Sequence, residues 1–88
     1  MDANELLRRY VAGERNFRFA HFRKASLKGA ELSGTDLLGA DFHSANLSYV
    51  NLSQAKLNAV DLRFADLIGA NLSEVNLYCA FLSSANLN

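Results

Sequence analysis

From Phe17 onward a Leu or Phe stands at every fifth residue: Phe17, Phe22, Leu27, Leu32, Leu37, Phe42, Leu47, Leu52, Leu57, Leu62, Leu67, Leu72, Leu77, Leu82 and Leu87. Two residues before each stands Ala, Val or Thr, with Arg15 the one departure. On an α-helix turning about 100° per residue, five steps advance each Leu by about 140° and leave no apolar stripe. On a flat strand an odd spacing sends successive Leu side chains to opposite faces. Both regular structures fail, so the pattern predicts a chain that turns once per five-residue unit. The small residue and the Leu point inward, and the other three positions point out.

Four such units close one square turn and set residues twenty apart over one another, with coils about 4.8 Å apart. Residues 15–88 then make about 3.7 coils in a stack roughly 18 Å tall, with parallel crossovers that should be right-handed. The fold class expected is an all-β solenoid, a parallel quadrilateral β-helix. Phe22 and Phe42 lie twenty apart and should stack in the core. Tyr49 should sit between Gly29 and Gly69, and Phe64 between Ser44 and Ser84. The first fourteen residues read differently. Asp2 and Glu5 have the spacing of a capping box, and Leu6, Leu7, Tyr10 and Val11 share one face, which predicts a helix over 3–12 that stops near Gly13. The chain therefore divides into a capping helix, 1–14, and a repeat region, 15–88.

Units such as Ala40-Asp41-Phe42, Ala45-Asn46-Leu47, Ala65-Asp66-Leu67, Ala70-Asn71-Leu72 and Ala85-Asn86-Leu87 resemble the A-[D/N]-L-x-x consensus of the pentapeptide repeat family. The resemblance covers about five-sixths of the chain and implies a right-handed quadrilateral β-helix. The leading helix and Ala12-Gly13-Glu14-Arg15-Asn16-Phe17 are similar to the opening of small cyanobacterial members. Its best-known members mimic DNA and bind gyrase, whereas most have no assigned activity.

Composition narrows the functional classes. Half of the 88 residues are apolar and the chain has a single cysteine, Cys79, which excludes an internal disulfide and a cysteine-cluster metal site. No apolar run has the length of a membrane span and the first residues do not resemble a signal peptide, so a cytoplasmic location is expected. Asn or Asp precedes the central residue in ten of the fifteen units, where short polar side chains bond turn backbone; Asp36, Asp41, Asp61 and Asp66 are structural in this reading. The most site-like face carries the column His21, Asp41, Asp61 beside Arg23, His43, Arg63, read as a solvated ion-pair network rather than an anion or metal site. Cys79 has no charged neighbour in its coil that would favour a reactive thiolate. No catalytic residue, cofactor or metal is expected.

Zero net charge hides a polarity: residues 1–30 carry seven Lys or Arg against three acids, and residues 31–88 carry two against six. An anionic partner should dock at the first coil. At the other end, residues 75–88 contain no charged residue, and Tyr78 and Phe81 project beside Leu77, Leu82 and Leu87. An open coil edge is normally guarded by charge, proline or a covering element. These five residues are therefore the expected interface, in an end-to-end two-fold homodimer or in a contact with another protein. The function expected is a non-catalytic structural or protein-interaction module, with a DNA-mimicking gyrase or topoisomerase binder as the alternative. Neither nucleic acid nor membrane is an expected partner, since bulk charge gives nucleic acid no attraction.

Overall fold

A computed structural model describes residues 1–87; the last residue of the expected repeat region, Asn88, lies outside the described residues. One helix, α1, runs Ala3–Val11. Its N-cap is Asp2, whose Oδ1 accepts the Glu5 amide at 2.8 Å. It ends one residue earlier than the pattern suggests, with Ala12 as the C-cap. Gly13, at φ +99°, lets the amides of Gly13 and Glu14 return to the carbonyls of Tyr10 and Arg9, a Schellman closure. Leu6 is fully buried and Leu7 and Tyr10 pack partly against the core. Val11 is 86% exposed, which removes it from the buried face proposed for it.

After α1 the chain coils. Parallel bridges join residues twenty apart in four columns, through 16-36-56-76, 21-41-61-81, 26-46-66-86 and 31-51-71. Every coil therefore has four sides. The bridges are isolated rather than grouped into strands, which departs from the all-β expectation. The reason is the five-residue unit, most of which is spent on a turn. In each unit the amide of the small residue bonds the carbonyl three residues earlier, as Ala20 does to Phe17 and Ala45 to Phe42. The third residue of that turn has positive φ, the signature of a type II turn. Ten such positions are not glycine, among them Phe19, Tyr49 and Phe64. Each costs roughly 1–2 kcal/mol of left-handed strain, which the surrounding ladder of hydrogen bonds and burial must offset.

That ladder has a fixed direction. Toward the next coil each unit sends two amides and one carbonyl: Leu37 N–H reaches Lys56 O at 2.9 Å, Gly39 N–H reaches Asn58 O at 2.9 Å, and Thr35 O accepts Lys56 N–H at 2.9 Å. Four of the five amides of a unit thus find backbone partners. The fifth follows the central residue and is met by the polar side chain two residues back, as Asp41 Oδ1 meets His43 N–H at 2.9 Å and Asn51 Oδ1 meets Ser53 N–H at 3.0 Å. This gives the Asn and Asp column its physical cause: the turn would otherwise leave one donor to solvent alone.

The apolar column forms one core. Phe17 through Leu67 of the five-residue series are buried, and the Phe22 and Phe42 rings stack at 5.2 Å between centroids, as their twenty-residue separation requires. Fully burying each of these side chains contributes about 1.5–3 kcal/mol. Thr35, fully buried, spends its hydroxyl on Leu32 O at 2.9 Å. Among the described residues no buried side-chain polar atom lacks a partner. Tyr49 stands between Gly29 and Gly69 in its column, and its ring leans onto Gly69, where a Cβ would come within 2.5 Å, leaving the space beside Gly29 open. Phe64 lies beside the His43 ring at 5.5 Å. Phe19, which the twenty-residue arithmetic also pairs with Gly39, covers that glycine in the same way as Tyr49 covers Gly69.

Candidate interaction surface

Three sites on the molecule could carry function: the charged side with the two histidines, the region beneath the start of α1, and the last coil. On the charged side and the side next to it, three arginines are spent on carboxylates. Arg18 Nε bonds Asp36 at 2.7 Å, Arg23 Nε bonds Asp41 at 3.2 Å, and Arg63 holds Asp61 with two bonds of 3.0 and 2.8 Å. The Arg63 hydrogen bond, helped by its backbone amide and charge, outweighs partial burial and holds Asp61 down to about 2. Burial pushes Asp36 the other way, yet Arg18 and the Leu38 amide outweigh it and leave that carboxyl below its ordinary value. His43 Nδ1 lies 2.9 Å from Ser44 Oγ. No group of three metal-ligating side chains forms among the described residues. The basic residues of the first coil are thus partly neutralised from the coil above. Arg15, the sole departure from the small-residue column, stacks over Tyr10 at 3.6 Å and bonds its carbonyl.

Beneath the start of α1 an open groove of about 540 Å³ is lined by Met1, Asp2, Asn4, His21 and Arg23 among others. It is a wide depression with mixed lining and no enclosed polar group.

The last coil is different in kind. Leu72, Leu77 and Leu82 are only partly buried, and Leu87 is 54% exposed. Tyr78 is 75% exposed and Phe81 is 56% exposed, the latter 5.9 Å from the Arg63 guanidinium. Cys79 is a free, exposed thiol between them. The structure therefore brings Leu77, Tyr78, Phe81, Leu82 and Leu87 together around one end. One feature of this end has no side-chain signal in the sequence. The amides of Leu72, Glu74, Leu77, Cys79, Leu82 and Ser84 occupy the positions that bond a following coil, and no partner meets them among the described residues.

A model of pentapeptide repeats matches residues 20–58 and 55–88, in eight copies. The chain belongs to the pentapeptide repeat family. No curated protein matches it. Among solved pentapeptide repeat proteins it is similar to one from the Arabidopsis thaliana thylakoid lumen, at 30% identity and a TM-score of 0.73, over 83% of this chain and 55% of that one. A pentapeptide repeat protein from Nostoc Pcc 7120 is 37% identical, with a TM-score of 0.66, over 96% of this chain and 74% of that one. A third, Rfr23 from the cyanobacterium Cyanothece 51142, is 32% identical with a TM-score of 0.56, over 83% and 54% of the two chains. The chain thus spans about half the length of two of these pentapeptide repeat relatives. Their shared fold implies a right-handed β-helix, consistent with the four-sided coils seen here. No helix among the described residues is long and apolar enough to cross a membrane.

Proposed function

We propose that this chain is a non-catalytic interaction module that engages another protein through its last coil. The observation that carries the reading is the contrast in burial along the core column: residues of the same type are sealed from Phe17 to Leu67 and opened at Leu87. Tyr78 and Phe81 add aromatic surface there, and Arg63 lies beside Phe81, a composition enriched in protein contacts. The carboxylates Asp36, Asp41 and Asp61 are bound up with arginines, which favours a structural role over acid-base chemistry. The same pairing, with zero net charge, removes the acidic rod that DNA mimicry would need, so the gyrase alternative has no supporting observation.

A photo-crosslinking side chain placed at Tyr78 or at Lys24 in living cells tests the proposal. Discrete protein adducts from position 78 and none from position 24 are expected. Adducts from position 24 alone would overturn it.

A further inference from the structure

Two neighbouring sides of the first coil treat their turn amides differently. On one of them Glu31 accepts Ser33 N–H at 3.1 Å and the Ser33 hydroxyl at 2.6 Å with one oxygen, and its other oxygen accepts Asn51 Nδ2–H from the coil above at 3.0 Å. The Ser33 hydroxyl, and then its amide, hold the Glu31 carboxyl below its ordinary value, so this turn favours a charged acceptor. On the side before it Ser26 occupies the position of Glu31, with Lys28 and Asn46 where the other side has Ser33 and Asn51. Ser26 is exposed, and neither its hydroxyl nor Lys28 N–H has a partner among the described residues. Asn46 gives its Oδ1 to the Ser48 amide and hydroxyl, and its Nδ2 has no partner among the described residues. Of the described units whose turn amide has no side-chain acceptor, those of His21, Ser26, Lys56 and Phe81, only the second carries a hydroxyl.

We propose that Ser26 is a phosphorylation site whose phosphoryl group completes its turn as Glu31 completes the next one. The terminal oxygens of phosphoserine stand as many bonds from Cβ as those of glutamate, so they have the reach to take Lys28 N–H and Asn46 Nδ2–H. The group brings a charge of about −1.5 to −2 near pH 7. Lys24 and Lys28 flank it as exposed cations in no ion pair among the described residues, and Lys28 makes only a 5.9 Å approach to the Tyr49 ring. Directly above lies Asn46, so no carboxylate opposes the added charge. The donor is ATP and the enzyme a protein kinase that reads cations before its serine: Arg23 and Lys24 stand three and two residues before Ser26, and the apolar Leu27 follows it. Ser26 Oγ bonds the γ-phosphorus as the bond from that phosphorus to the bridging oxygen breaks; ADP leaves with the electron pair, and the hydroxyl proton passes to the catalytic carboxylate of the kinase. In the closed stack Lys24 N–H and Leu27 N–H are bonded to His43 O and Asn46 O, each at 2.9 Å. A kinase cleft therefore receives this segment when the first coil opens locally, and the phosphoryl group then favours reclosure.

The test incubates the full chain with ATP, magnesium and a protein kinase selective for basic residues before serine, and maps phosphate by mass spectrometry. Phosphate confined to Ser26 is expected, with Lys24→Ala slowing its incorporation by about fivefold or more. No incorporation, equal incorporation at other serines, or an unchanged rate in Lys24→Ala would overturn the site. Amide exchange then compares the phosphorylated and unmodified chains. The Lys28 amide should slow by about tenfold, and Ser26→Glu should reproduce that slowing. Unchanged exchange at Lys28, while core amides such as Leu47 stay protected, would overturn completion of the turn.

Discussion

The two ends of the stack carry the same residue type to opposite outcomes. At the first coil Leu6, delivered by α1, is fully buried over the core, and Tyr10 meets the Ser33 carbonyl; at the last coil Leu87 is more than half exposed and a row of amides has no partner among the described residues. The difference teaches that a coil repeat does not end by itself. Every unit needs a neighbour on both sides, so closure has to come from a different kind of element. The helix does this for one side because a helix satisfies its own backbone and can offer an apolar face.

The strongest way to break the comparison is to truncate the two leucines. Leu6→Ala should cost about 2–5 kcal/mol, the range for a buried Leu that leaves a cavity, whereas Leu87→Ala should cost under about 1 kcal/mol. Urea midpoints at an unchanged slope read both. Equal losses would mean that the last coil is as sealed as the first.

Next in size, Tyr10→Phe removes the hydroxyl that meets Ser33 O and should destabilise by about 0.5–1.5 kcal/mol. A smaller and opposite change should come from glycine at the strained corners. Ala59 and Cys79 occupy one column, both with positive φ. Ala59→Gly should stabilise by about 0.5–1 kcal/mol, since relief of left-handed strain exceeds the extra entropy of an unfolded glycine. Cys79→Gly should gain less, because a coil open on one side contributes less to the cooperative unit. Thermal melts compare the two.

The smallest effect is in acid. The folded Asp61 carboxyl is depressed from 3.8 to about 2, so its contribution is present in full above about pH 4 and is lost as the pH falls through 2. Asp61→Asn keeps a turn acceptor but loses the charge. Its melting temperature should fall less than that of the unaltered chain between pH 4 and pH 2.

Much of this was legible in residue spacing. The buried column and the Phe22 and Phe42 stack follow from a period of five and a repeat of twenty, the capping helix from the Asp2 and Glu5 spacing with its apolar face, and the apolar last coil from the lack of charge after Glu74. Left-handed corners did not, because Phe19, Tyr49 and Phe64 are residues that avoid that region in isolation and adopt it only under the ladder's constraint. Val11 shares the apolar spacing of Leu7 and Tyr10 but, as the last residue of α1, it stands 86% exposed. Ion pairing across coils, which takes Arg18 to Asp36 and Arg23 to Asp41, joins residues eighteen apart and blunts the charge polarity that a linear count suggests. The two amides and one carbonyl that each unit sends toward the next coil are set by backbone direction, to which side-chain types are blind.

Amide hydrogen exchange of the isolated chain tests the central claim of one closed end and one open end most directly. Leu52, Gln54, Leu57, Ala59, Leu62 and Phe64 donate to the coil that follows, and Leu72, Glu74, Leu77, Cys79, Leu82 and Ser84 stand one coil later without acceptors among the described residues. The first six should exchange slowly and the second six near the unprotected rate. Equal protection of the two sets would contradict it.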